Sequence, residues 1–165
     1  LPVSIQNLQC RVPVSLPRLK AAARRTLSAL GRADRDVHVT LVDDRAIRRL
    51  HGRYLGRRKA TDVIAFHLEG PGPSRLLGEV VISAEMAARQ ARAVGAPAGL
   101  EMELLLVHGL LHLAGYDDHA PGEARLMHER AREILTRLQR RIPRGFWDGL
   151  LAGPGHGPAR RPRPS

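Results

Sequence analysis

The chain has 165 residues and a formal net charge of +11, enough length for one domain with its own core and enough positive charge to suit a polyanionic partner. Its single cysteine, Cys10, excludes an internal disulfide and any cysteine-rich zinc site. No apolar run reaches the roughly 20 residues that span a bilayer, no secretory signal is visible, and the expected setting is the cytoplasm without a membrane partner.

All but Lys20 and Lys59 of the 27 basic residues are arginine. Guanidinium forks match phosphate bidentately, so RNA or DNA is an expected partner, although arginine usage also follows genome composition. Aromatic side chains make up only 3% of the chain, too few for the stacking platform of a general single-strand binder.

In chain order, Val3 to Val12 alternates loosely and predicts a first strand, with Cys10 inside it as a small apolar filler. Pro13 and Pro17 bracket a turn, and Ser15 is placed to cap the first helix. Leu16 to Leu30 reads as that helix, amphipathic with Leu19, Ala23, Leu27 and Leu30 on one face, ended by Gly31. Val37 to Val42 predicts a second strand, with His38 as a surface or packing residue. Asp43 or Asp44 caps a helix to about Tyr54, with Ile47 and Leu50 as its apolar stripe and Gly56 closing it.

A basic run, Arg57-Arg58-Lys59, leads into a third strand over Thr61 to Phe66. Glu69 to Ser74 reads as a hairpin-like connection to a fourth strand, Leu76 to Ser83, in which Glu79 is expected at a strand edge or paired with an arginine. Ser83 caps a helix to about Val94, and Gly95 and Pro97 separate it from another that starts near Ala98. A final helix is expected over Pro121 to Arg141, with Leu126, Ile134, Leu135 and Leu138 as core contacts and His128 on the surface. From Pro143 the composition turns to glycine, proline and arginine. Residues 1–142 are therefore expected as the domain and 143–165 as a disordered tail. Phe146, Trp147, Leu150 and Leu151 form a short docking patch at its start. Arg160, Arg161 and Arg163 either add nonspecific RNA affinity or do nothing. The element order predicts an α+β domain, a small mixed sheet of about four strands with packed helices.

The chemistry concentrates in Leu104 to His119, LLLVHGLLHLAGYDDH. His108 and His112 are four apart, so on a helix they stand on one face, one turn above the other. Gly115 can leave the helix through a left-handed turn, and Asp118 and His119 come next as candidates for a third ligand. Three protein ligands with an open fourth position is the pattern of a catalytic zinc site. The flanks are apolar on nearly all sides, and a histidine pair in such a helix needs a partner, since an unsatisfied buried polar group costs roughly 1–3 kcal/mol.

His108-Gly109-Leu110-Leu111-His112-Leu113-Ala114-Gly115-Tyr116-Asp117 resembles the HGxLHLxGYDH signature of the YbeY family of metal-dependent endoribonucleases. The family's third histidine sits six residues after the second, a position held here by Asp118, with His119 one place later. Spacing favours Asp118 and the usual ligand chemistry favours His119; Asp118 is carried first, since a carboxylate also binds zinc. Thr61, Asp62, Val63 and Phe66 resemble the family's TDVLSF strand, and Leu76 to Ser83 its LLGDIVIS segment. The family places an active arginine directly after the aromatic residue at the position of Tyr54. Leu55 stands there, which leaves Arg53, Arg57 or Arg58 to take over its role; otherwise the basic run is a solvated loop.

The resemblance implies a zincin-like metal helix forming one wall of a cleft, one divalent ion, zinc by expectation, and single-strand-specific endoribonuclease activity. It implies a role in maturation of rRNA precursors at the 3′ end of small-subunit rRNA, and in ribosome quality control, with the ribosome as partner. Arg57 and Arg58 are the expected phosphate-binding groups. Asp117 is either a proton acceptor or, the preferred reading, a turn residue that orients a ligand. In zincin-type proteases a glutamate comes directly after the first histidine as general base, and Gly109 occupies that place, which counts against a peptidase. A noncatalytic RNA- or ribosome-binding factor with a structural metal is the remaining alternative.

Overall fold

The computed structural model describes residues 3–55, 63–67, 75–138 and 142–147, the side chains of 51–55, 144 and 145 excepted. The elements are β1 (Val3–Asn7), α1 (Leu16–Ala29), β2 (Asp36–Val42), α2 (Asp44–Leu55), β3 (Val63–His67), β4 (Leu76–Ser83), α3 (Ala84–Ala93), α4 (Ala98–Leu113) and α5 (Pro121–Leu138). A short 3-10 turn spans Arg144–Trp147. The sheet order is β1-β2-β4-β3. β1, β2 and β4 run parallel, and β3 closes one edge antiparallel to β4, so the expected α+β fold with a mixed four-stranded sheet is what forms.

Local chemistry sets the boundaries. The Ser15 hydroxyl accepts from Arg18 N at 3.4 Å and the Ser83 hydroxyl from Met86 N at 3.1 Å, the two predicted helix caps. Asp43 rather than Asp44 caps α2, its carboxylate accepting from Ala46 N at 2.8 Å. β1 is shorter than predicted. Gln9 ends it by folding back: its Oε1 accepts from Arg11 N and Val12 N, and its Nε2 donates to Val12 O. That side chain takes over backbone pairing which a strand would have supplied. Cys10 is therefore exposed in a turn, not a filler inside a strand.

α4 is the centre of the packing. Every residue from Leu100 to Leu111 is buried, and so is Leu113. Val3, Val37, Val39, Leu41, Val80 and Ile82 of the sheet meet Leu105, Leu106, Leu110 and Leu113 of α4, with Leu19, Ala23 and Leu27 of α1 against them. The far side of α4 carries Leu104, Val107 and Leu111 against Met127, Ala131, Ile134 and Leu135 of α5, with Phe146 and Trp147. Leu126 departs from expectation: it is 63% exposed. The buried face of α5 runs through Ala124, Met127, His128, Ala131, Ile134 and Leu135, and Leu126 falls on the opposite face with exposed Glu133 and Arg137. Among the described residues no single helix is long and apolar enough to cross a membrane; α3 and α4 together pass such a test only as a pair bent by 116°.

Candidate metal centre

α4 carries both histidines on one face, as the four-residue spacing requires. His108 is fully buried, and His112, with 31% of its side chain accessible, is the point where the last turns of this buried helix reach solvent. The helix ends in a Schellman turn. Tyr116 N donates to Leu111 O at 3.0 Å and Gly115 N to His112 O at 3.1 Å, with Gly115 at φ +103°. That turn reverses the chain and returns Asp118 to the histidine face.

The three donor atoms form a tight triangle. His108 Nε2 and His112 Nε2 are 3.1 Å apart, and Asp118 Oδ2 lies 3.6 Å from the first and 3.7 Å from the second. Tetrahedral zinc with bonds of 2.0–2.1 Å holds its ligand atoms about 3.4 Å apart, so the donor set fits one such ion. The chemistry agrees, because two imidazole nitrogens facing each other beside a carboxylate need a proton or a cation between them. His119 is 88% accessible and sits beside Asp117 Oδ1 at 3.4 Å, outside the triangle. An alternative grouping of Asp117, Asp118 and His119 also brings three donors within 4.8 Å of one another, but it includes neither helical histidine, and its His119 is exposed.

Asp117 works in the turn. Its Oδ1 accepts from Asp118 N at 2.7 Å and His119 N at 3.2 Å, fixing the backbone that presents Asp118. Gly109 has a packing reason. A Cβ there would stand 2.7 Å from Val80 Cγ1 and 3.4 Å from Val63 Cγ2, so the position after the first histidine faces the sheet. A glutamate base has no room at that place. Arg57 and Arg58, with Thr61 and Asp62, lie outside the described residues, as does the Arg53 side chain. Glu79 is half-buried on β4 and accepts from Thr40 Oγ1 at 3.0 Å, so among the described residues its hydrogen-bond partner is a threonine.

Three further buried polar residues lie on α4 and α5. Glu101 and Glu103 are buried on α4, and Arg18 of α1 pairs with Glu103 at 3.2 Å. His128, expected on the surface, is only 2% exposed, and its ring lies 6.3 Å from that of His108. The i, i+3, i+4, i+7 pattern of Ala124, Met127, His128 and Ala131 is the signal for its burial.

Fold and site together define an α+β domain whose central helix bears an H-x3-H pair completed, through a glycine turn, by a carboxylate. A family profile described as "Endoribonuclease YbeY" matches residues 4–139, and the chain belongs to the YbeY family. It is 47% identical over 118 residues to Endoribonuclease YbeY of Anaeromyxobacter dehalogenans, covering 71% of this chain and 61% of that protein. Against Endoribonuclease YbeY of Geobacter metallireducens it is 41% identical over 144 residues, covering 84% of this chain and 96% of that protein. The solution structure of TM1509 from Thermotoga maritima shares the fold, with a TM-score of 0.58 and 22% identity over 82% of this chain and 88% of that one.

Proposed function

We propose that this chain is a single-strand-specific, metal-dependent endoribonuclease that works in the cytoplasm on rRNA precursors. Its target is the 3′ end of small-subunit rRNA, and it serves ribosome quality control with the ribosome as partner. One observation carries the reading: the His108, His112 and Asp118 donor atoms stand 3.1–3.7 Å apart where α4 opens to solvent, in a chain that belongs to the YbeY family.

His108, His112 and Asp118 would hold one divalent ion, zinc by choice of ligands. When bound, such an ion supplies Lewis acidity, acidifying water and offsetting charge on phosphate oxygens. The chain's own residues do the rest. Asp117 holds the turn that carries Asp118, and the buried seat of His108 fixes the first donor. Arg57 and Arg58 bind the phosphate and steady the charge that builds on it. The net charge of +11 draws the polyanion in. The packing of Gly109 on Val80 speaks against a peptidase, whose glutamate base belongs at that position.

The test is cleavage of a labelled single-stranded RNA by the purified protein beside an identically prepared His112→Ala variant. The expected result is a loss of at least about 100-fold in the variant, the scale of removing a metal's transition-state stabilisation. Equal cleavage by both would overturn the nuclease reading. So would no cleavage by either while RNA is still bound, and that outcome would favour a binding factor with a structural metal.

A further inference from the structure

A second concave surface adjoins the metal centre at the end of α4. There α4 and β3 stop, β2 and β4 begin, and the turn after α1 lies beside them. The groove encloses about 450 Å³ and is lined by Arg32, Asp34, Arg35 and His67 together with Leu113 and Gly115. Leu113 follows His112 directly, and Gly115 opens the turn that returns Asp118 to the histidines. Groove and donor triangle therefore share the end of α4 as a common wall.

The sequence builds the basic side of this groove locally. Gly31, at φ +69°, turns the chain out of α1, and Arg35 N donates to Arg32 O at 2.9 Å. A turn closed in that way brings its first and fourth residues together, here two arginines, both half-buried. Arg35 Nε donates to Arg75 O at 3.1 Å, and Arg75 Nε to Asp34 O at 3.2 Å. The first bond holds the Arg35 guanidinium by its inner nitrogen, and the two terminal nitrogens form the fork that matches a phosphate. Asp34 and Asp36 are the carboxylates at hand, yet among the described residues neither forms an ion pair with Arg32 or Arg35. Two guanidinium groups beside one concavity repel each other, and an anion between them turns that repulsion into attraction. A single strand whose reacting phosphate lies at His108, His112 and Asp118 carries further phosphates on either side of it, and the groove lies across the shared wall from the reacting one.

We propose that the groove is a phosphate subsite of the RNA track, in which Arg32 and Arg35 hold a backbone phosphate of the single strand beyond the one at the metal centre. His67, exposed at the end of β3, adds a ring N–H donor to the same groove. A phosphate contact fixes register and carries no base preference, so the subsite positions the strand without selecting its sequence. The inference rests on the ribonuclease reading above, and its test reads binding apart from cleavage. A fluorescently labelled single-stranded RNA is titrated with the purified protein in chelator, so that no cut occurs, and its anisotropy is followed across a salt series. Cleavage with metal restored gives KM and kcat. The proteins compared are the wild type, Arg32→Gln, Arg35→Gln, the variant carrying both and, as a control for lost charge alone, Arg92→Gln at an exposed position of α3.

Each single groove variant is expected to bind about 10-fold more weakly, the scale of losing a charged hydrogen bond. The double variant is expected to flatten the slope of log affinity against log salt by about 0.7, one phosphate's share for a single strand. KM rises while kcat stays within about twofold, and Arg92→Gln stays within about twofold of wild type throughout. Wild-type affinity and KM in the groove variants would overturn the subsite and leave the ribonuclease reading standing. Equal weakening in Arg92→Gln would also overturn it, as an effect of net charge. Weaker binding of a polyglutamate peptide with unchanged RNA binding would overturn it in favour of an acidic protein partner. If the wild type neither bound nor cleaved RNA, the ribonuclease reading would fall first and this one with it. Thermal melting reports the fold of each variant. Should Arg35→Gln melt early, because Arg35 Nε holds the Arg75 carbonyl, Arg32→Gln carries the same comparison.

Discussion

Asp118 and His119 are neighbours with opposite settings. The Asp118 carboxylate is 11% accessible and stands 3.6 and 3.7 Å from the two helical Nε2 atoms. The His119 ring is 88% accessible, with Nε2 3.4 Å from Asp117 Oδ1. Resemblance alone leaves the third ligand open between them, because ligand type points one way and spacing the other. The turn decides the geometry: Gly115 at positive φ and the Asp117 bonds to two successive amides point residue 118 inward and residue 119 outward. We expect Asp118→Ala to lower Zn2+ affinity by at least about 100-fold, a ligand counting for more than a residue beyond it, and His119→Ala to stay within about twofold of wild type. Chelator competition on the three proteins measures it. Loss in the His119 variant with retention in the Asp118 variant would reassign the ligand.

Among the elements, legibility tracks how local the deciding physics is. Caps, alternation and glycine stops lie within a few residues, so Ser15, Ser83 and the places of the four strands can be read directly, though not the end of β1, which the Gln9 side chain sets. The face of α5 cannot be judged from Leu126 alone, since its burial depends on which stripe meets α4. The network at the start of α2 is hidden for the same reason, being built from residues some 40 apart. Asp44 accepts from Ser83 Oγ at 2.6 Å, pairs with Arg89 at 2.6 Å, and donates its amide to Glu85 at 3.0 Å, tying α2 to α3. Burial pushes the Asp44 carboxyl upward, but the Arg89 and Ser83 hydrogen bonds and the charges of Arg89 and Arg48 outweigh it and hold the pKa below the ordinary 3.8. A carboxyl lowered on folding stabilises above its unfolded value, about 3.9. That stabilisation is lost as pH falls through the lower folded value. Asp44→Asn is therefore expected to be less stable than wild type near neutral pH, with the gap closing below about pH 4. Urea midpoints across that range measure it, and a gap independent of pH would contradict the assignment.

At the scale of the whole molecule the question is where the domain ends. Composition shifts at Pro143, but packing does not stop there. Phe146 is 1% and Trp147 8% exposed, their rings meet edge to face at 5.0 Å, and the Arg132 guanidinium lies 5.4 Å from the Trp147 ring centre. Both close the apolar cluster that α4 shares with α5 through Leu104, Leu111 and Leu135. Two aromatic side chains in a glycine- and proline-rich stretch are thus part of the wall that keeps the His108 helix dry. Residues 148–165 contribute Arg160, Arg161 and Arg163 against Asp148, so removing them lowers the net charge from +11 to +9. Fold and charge can then be separated by two proteins. A chain stopped after Trp147 is expected to melt with wild type and keep its Zn2+ affinity, while RNA binding weakens in a salt-dependent way. The full-length Phe146→Ala variant is expected to lose about 3–5 kcal/mol, the usual cost of emptying a buried phenylalanine site, with its charge unchanged. Urea denaturation of both gives the answer: if the shortened chain were as unstable as the Phe146 variant, the stabilising contacts of the domain would extend beyond Trp147.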